Sequence, residues 1–197
     1  MTGVGAVLTA ARVPRGASLA VIGAGGVGLN VIQGAVLAGA DTIIALDRRP
    51  APLQLARMFG ATETIDTGVV AAADAVRAAT RGRGADFVFD TVGSPATVSD
   101  ALTATRKGGT VVLTGLSRID AAGSFHMFQF VMQEKRLIGS VYGSGRPAED
   151  IARLAGWYRD GKLKLTELVS RTYQLAEINA ALDALASAEG ARGVVLR

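Results

Sequence analysis

Cysteine is missing altogether, and histidine occurs once, as His126. Without cysteine there is no disulfide, no thiolate nucleophile and no structural zinc knot. A single histidine likewise excludes a histidine-rich metal site within this chain. Aromatic residues make up 5% of the sequence, and none accompanies the basic groups as a stacking platform for nucleic-acid bases. No apolar run reaches the about 18–20 residues that span a bilayer. The opening Met1-Thr2-Gly3-Val4-Gly5 carries no basic region of a secretory signal. These absences predict a cytoplasmic, metal-free chain with no membrane partner.

What is present is apolar and glycine-rich: 49% of the 197 residues are hydrophobic, 19% are charged and 25 are glycine. That is enough for one globular domain, or one and part of another. The formal net charge is +4. Yet the basic residues are mostly isolated arginines (Arg12, Arg57, Arg77, Arg106, Arg136, Arg153), and the densest groups are only Arg48-Arg49 and Arg81-Gly82-Arg83. A solvated surface is expected rather than a nucleic-acid partner. The surplus helps attract an anionic ligand without identifying one.

Short apolar runs alternate with helical stretches. Strands are predicted over Ser18–Ile22, Thr42–Leu46, Glu63–Ile65, Phe87–Phe89, Thr110–Thr114 and Leu137–Tyr142. Helices are predicted over Gly26–Leu37, Ala51–Phe59, Val69–Thr80, Ala96–Thr105 and Pro147–Asp160, with a looser stretch around Phe125–Val131. The fold class is α/β, a doubly wound six-stranded parallel sheet of order 3-2-1-4-5-6. After Gly161 the rhythm breaks into a strand-like Leu168–Tyr173, a helix Ala176–Ser187 and a final strand Gly193–Leu196. The division predicted is 1–162 for the dinucleotide-binding domain and 163–197 for a segment belonging with a neighbouring one.

Gly23-Ala24-Gly25-Gly26-Val27-Gly28 lies between the first strand and the first long helix, the context a dinucleotide fingerprint requires. Gly23 permits the tight turn, Gly25 lets the backbone approach a pyrophosphate, and Gly28 lets the helix pack on the strand. The helix N-terminus supplies free N–H groups and a favourable dipole. Asp47 ends the second strand, 19 residues after Gly28, placed to accept bonds from the adenosine ribose hydroxyls. A carboxylate there repels a 2′-phosphate, so NAD is expected over NADP. Arg48 and Arg49 work against that preference, because an arginine beside the ribose neutralises a 2′-phosphate or stacks on adenine.

Over nearly its whole length the chain resembles the cofactor-binding half of the zinc-type medium-chain alcohol dehydrogenases. The resemblance rests on Thr2-Gly3-Val4-Gly5-Ala6, the Gly-Gly-Val-Gly ending of the glycine loop, Phe89-Asp90-Thr91-Val92-Gly93, Gly108-Gly109-Thr110, Ile138-Gly139-Ser140 and Gly190-Ala191-Arg192-Gly193-Val194-Val195-Leu196. It implies a Rossmann fold and a cofactor site. In that site Gly26 and Val27 belong to the phosphate loop and Thr2 stands near the nicotinamide. Val92 and Gly93 line the adenosine side; Thr114, Gly115 and Leu116 hold the carboxamide through their backbone. Tyr142 sits near the same end, and Arg192 pairs with the pyrophosphate. Many relatives have a lysine where Pro52 stands, leaving Arg48 or Arg49 to substitute.

The resemblance also implies what the chain does not carry. The family's catalytic zinc, held by cysteine, histidine and acidic ligands, belongs to a substrate domain preceding this part. The opening of the chain inside a family motif is expected to reflect truncation. His126 is expected on the surface or in packing, and Asp86, Asp90, Ser140 and Tyr142 carry no catalytic assignment. The expected activity is therefore NAD-dependent oxidation of a small alcohol to an aldehyde or ketone by the full enzyme, the isolated chain binding cofactor without turnover. Relatives pair through the sheet edge, which implies a homodimer using Leu137–Tyr142. Two alternatives remain: a zinc-free NADPH-dependent quinone or enoyl reductase of the same superfamily, and a non-catalytic nucleotide-binding or oligomerising module.

Overall fold

The computed structural model describes residues 1–187 and 190–197. The chain opens with α1 (Thr2–Gly5), which runs into a single π turn, Ala6–Ala10, in a region where the sequence pattern predicts no element. Glycines are poor helix formers, but here they permit contact. A Cβ on Gly3 would stand 2.5 Å from the Val27 carbonyl oxygen, so α1 lies directly on the following long helix. Val4, Ala6 and Val7 are buried by that packing.

The sheet then forms in the predicted order. Strands β1 (Ser18–Ile22), β2 (Thr42–Asp47), β3 (Glu63–Asp66), β4 (Ala85–Asp90), β5 (Thr105–Leu113) and β6 (Arg136–Gly139) make one sheet ordered β3-β2-β1-β4-β5-β6. Every pairing is parallel. β1 is buried at every position, as a central parallel strand covered on both faces must be. Its Leu19 and Val21 join one core with Leu29, Ile32 and Phe89, while Ala20 and Ile22 join the other with Ile44, Val76 and Val111.

The connecting helices are α2 (Gly26–Ala38), α3 (Pro50–Met58), α4 (Ala72–Ala79), α5 (Pro95–Ala104), α6 (Met127–Met132) and α7 (Pro147–Arg159). Gly39 ends α2 in the left-handed conformation at φ 74°, accepting the close that a helix C-terminus needs. Ser94 caps α5 through a capping box with Thr97.

Three elements differ from the sequence expectation. The fourth helix starts at Ala72, because the Asp66 carbonyl takes the amides of Val69 and Val70 in a turn, leaving both side chains exposed. The loose stretch contains α6, whose Met127, Phe128, Val131 and Met132 are exposed. The sixth strand stops at Gly139 instead of reaching Tyr142. The Ser140 amide makes a last bond to Leu113, after which Tyr142, Gly143 and Ser144 all adopt positive φ (50°, 77° and 53°) and leave the sheet plane.

The last segment forms a separate two-stranded parallel sheet of β7 (Val169–Gln174) and β8 (Arg192–Leu196), with α8 (Ile178–Ala186) between them. It is tied back to the main unit by Gln33, a buried residue of α2. Its Oε1 accepts from the Lys164 amide at 2.6 Å and its Nε2 donates to the Lys164 carbonyl at 3.2 Å. Leu163 and Leu168 are buried beside it, whereas Leu175, Leu182 and Leu185 are exposed.

Candidate functional site

The site is built where β1, β2, β4 and β5 end and the chain turns into loops. At the β1 end, Gly23 takes φ 92°, which a residue with a Cβ rarely adopts. The Thr91 hydroxyl at the end of β4 donates to the Ile22 and Gly23 carbonyls at 3.0 and 2.9 Å and so fixes the turn. A Cβ on Gly28 would run into the Gly23 carbonyl, so the helix approaches the loop as closely as glycine alone allows. Around Gly25, by contrast, nothing lies within 4 Å of the Cβ position, leaving open space in front of the first turn of α2. The first N–H groups of a helix have no partner inside it. An anion placed in that space meets those donors.

A cation stands there. Gly26 faces β8: a Cβ on it would lie 3.3 Å from Arg192 Nη2 and 3.0 Å from the Ala191 carbonyl oxygen. Arg192 is thus brought from 166 positions along the chain to the start of α2. It also acts on the Met1 amino group, whose pKa is lowered by burial first and by Arg192 second, against an opposing pull from Asp150. Thr2 is next to that group, and Gly143 packs on it from the other side: a Cβ on Gly143 would be 2.8 Å from the Met1 carbonyl oxygen and 2.8 Å from Gly5 Cα. The start of α1, the Gly143 turn and the first turn of α2 with Arg192 therefore pack as neighbours.

Where β1, β2 and β4 end there is a cleft of about 880 Å³ whose walls include Gly23, Asp47, Arg48, Val92, Ser94 and Asp100. Asp47 Oδ2 accepts from the Ala24 amide at 3.0 Å. Its Oδ1 accepts from the Arg49 amide at 3.1 Å and is paired with Arg49 Nε at 3.4 Å. These bonds set the carboxylate against the glycine loop, with Arg48 exposed beside it.

The loops after β4 and β5 pack into a floor of backbone. Asp90 is fully buried, and its carboxylate accepts from the Val92 amide at 2.9 Å, the Gly93 amide at 3.2 Å and the Thr97 hydroxyl at 3.2 Å. Its own carbonyl accepts from the Thr114 and Gly115 amides at 2.9 and 3.0 Å. Gly93 and Gly115 touch backbone to backbone; a Cβ on Gly93 would stand 2.7 Å from the Gly115 carbonyl oxygen. Leu116 follows, 89% exposed.

Asp90, Ser94, Thr97 and Asp100 carry no site assignment from the sequence. The Ser94-Pro95 pair signals only a helix start, and nothing in the spacing shows that a buried carboxylate holds the loop before it. Asp86 and Asp90 are both structural, at opposite ends of β4. Ser140 is met by the Ser144 hydroxyl at 3.2 Å. His126 is exposed at the start of α6.

These residues fit a dinucleotide: a cradle that only glycine leaves open, a cation over the helix N-terminus, and a carboxylate one strand away. The family model for zinc-binding dehydrogenases matches residues 26–158. The chain belongs to this family. S-(hydroxymethyl)glutathione dehydrogenase of Paracoccus denitrificans is 35% identical over 99% of this chain and 54% of its own length. Benzyl alcohol dehydrogenase from Acinetobacter calcoaceticus superposes with a TM-score of 0.94 at 29% identity, covering 98% of this chain and 53% of that one. A zinc-binding dehydrogenase from Sinorhizobium meliloti 1021 bound to NADP gives a TM-score of 0.84 at 25% identity, over 100% of this chain and 58% of that one.

The zinc-binding dehydrogenase chain described here spans about half the length of the curated relatives it matches. It is the cofactor-binding part of a zinc-type medium-chain dehydrogenase, and its doubly wound sheet is that of the alcohol dehydrogenases. Among the described residues no three His, Cys, Asp or Glu side chains gather as a metal site would require. No helix among them is long and apolar enough to cross a membrane.

Proposed function

We propose that this chain is the NAD-binding portion of a zinc-dependent alcohol dehydrogenase and holds the nicotinamide for hydride transfer from an alcohol, giving an aldehyde or ketone. The observation that carries the reading is Arg192 seated beside Gly26 at the open start of α2. The pyrophosphate lies on the first-turn amides, its charge met by the helix dipole and by the guanidinium. Gly25 admits the approach. Asp47 takes the adenosine ribose hydroxyls, and Val92 with Gly93 walls that side. Thr114, Gly115 and Leu116 hold the carboxamide by their backbone, and Thr2 and Tyr142 close the nicotinamide end.

When bound, the nicotinamide supplies hydride chemistry. The chain's contribution is orientation: the floor held by Asp90 fixes where the ring can lie. The catalytic zinc lies outside the described residues in this reading, and the isolated chain binds cofactor without alcohol-dependent turnover. The exposed apolar residues of α6, beside the edge strand β6, support a homodimer formed there, since an open edge seeks a partner.

A second reading has its own support. Arg48 and Arg49 stand beside Asp47, and the Sinorhizobium relative is bound to NADP. In that case the chain serves an NADPH-dependent reductase of the same superfamily. Calorimetric titration with NADH and NADPH separates the two. Tighter NADH binding is the expected result; tighter NADPH binding overturns the NAD assignment, and no binding of either overturns the cofactor role of the isolated chain.

A further inference from the structure

A parallel sheet brings the residues that precede its strands to one edge, so cations scattered in the sequence meet there. At the amino ends of β1, β4, β5 and β6, Arg15, Arg83, Arg106 and Arg136 line one concavity of about 410 Å³. It lies at the opposite edge from the glycine loop; Asp86 beside it and Asp90 under the cofactor floor are about 13 Å apart along β4. A bulge shapes this edge. The β4–β5 register passes from Ala85–Thr105 to Phe87–Thr110, so residues 106–109 of β5 leave the ladder. Bulges re-aim side chains, and this one turns Arg106 onto Asp86 at 2.5 Å.

One carboxylate holds half of the cluster. Asp86 Oδ2 accepts from the Ser18 amide at 2.7 Å and hydroxyl at 2.6 Å, while Oδ1 pairs with Arg106 and with Arg83 at 3.3 Å. Both oxygens are therefore committed. The Arg15 and Arg136 side chains make no hydrogen bond or ion pair among the described residues, and neither Asp41, whose Oδ2 would lie 3.7 Å from a Cβ on Gly16, nor Glu134 pairs with any of the four arginines. Only two of the four guanidinium groups are paired with a carboxylate, and the cluster keeps an excess of positive charge that repels itself. A multiply charged oxyanion relieves that repulsion, and guanidinium forks match phosphate in bidentate geometry.

We propose that this edge is a second anion site, separate from the cofactor cleft, which takes a phosphate-bearing small molecule. Arg15 and Arg136 grip the phosphate directly, and Arg83 and Arg106, held by Asp86, complete the positive wall. The proposal does not depend on which cofactor the chain uses.

The test is titration of the full chain with pyrophosphate, followed by backbone-amide NMR, with chloride at matched ionic strength as the control. The expected result is saturable shifts at Gly16, Gly108 and Thr110 that chloride does not reproduce. The Arg15→Ala/Arg136→Ala double variant should bind at this edge at least about 10-fold more weakly, since each charged contact carries roughly that factor. It leaves Asp86 with Ser18, Arg83 and Arg106, so its amide spectrum should otherwise be unchanged. Any shifts at residues 23–28 report the helix start instead and are read separately. Shifts confined to residues 23–28, equal shifts with chloride, or undiminished affinity in the double variant would each overturn the proposal.

Discussion

Gly28 and the Gly23 carbonyl oxygen are packed so closely that a single methyl group has no room between them. This contact lets α2 start directly beneath the β1 turn, with its amides facing the open space at Gly25. Gly28→Ala must push helix and loop apart. The expected cost is about 1–3 kcal/mol of stability from overpacking, read as a lowered Tm, together with loss of nucleotide binding by calorimetry. An unchanged Tm would mean the helix can shift freely, and the role given to Gly28 would fail.

Asp90 is the buried support of the loop after β4. Asp90→Ala would leave the Val92 and Gly93 amides without their acceptor, while the Thr97 hydroxyl keeps the Ser94 carbonyl at 3.0 Å. An unsatisfied buried group costs about 1–3 kcal/mol. The loss should appear in urea unfolding, and fast amide exchange should spread over residues 91–97. Asp90→Asn keeps one acceptor oxygen and should lose less.

Asp86 makes the stability depend on pH. Burial pushes its carboxyl upward, but the Ser18 hydroxyl and amide and the Arg106 guanidinium outweigh that, and the net pKa lies below the ordinary carboxylate value. A pKa depressed in the folded state adds stability that is complete above the unfolded-state pKa and disappears as pH falls through the folded one. The Tm of the wild-type chain should therefore drop on acidification below the ordinary carboxylate range. Asp86→Asn should lower Tm at pH 7 and flatten that drop; parallel curves for the two proteins would contradict the assignment.

Arg192 separates a cofactor role from a merely structural one. Its removal takes one charge-assisted contact from the pyrophosphate, so Arg192→Ala should weaken NADH binding by about 10-fold or more. Adenosine, which has no phosphate, should bind equally to both proteins. Equal weakening of adenosine would show that Arg192 supports the fold around the cleft instead.

Gln33 joins the last segment to the main unit. Gln33→Leu removes both bonds to Lys164, and hydrogen exchange should rise over residues 163–168 while β1 remains protected. A rise throughout the sheet would mean the two parts unfold together.

The sequence by itself determined the sheet. Uninterrupted apolar runs such as Ser18–Ile22 have no polar face to present to water, so they become central parallel strands, and the glycine loop can lie only where such a strand turns into a helix. The tight turn at Gly23 and the close approach at Gly28 were legible for that reason, since both depend on backbone freedom. Local pattern misplaced the end of the sixth strand, because apolar Val141 and Tyr142 look like strand residues until the positive φ values of Tyr142–Ser144 turn the chain aside. Only the tertiary structure decided which distant residues meet. Arg192 reaches Gly26, Asp90 holds Gly93, and Arg15, Arg83, Arg106 and Arg136 share one edge because parallel crossovers return every strand in the same direction. Sequence separation carries no trace of such meetings, since charge and hydrogen-bond contacts depend on distances that exist only after the sheet has closed.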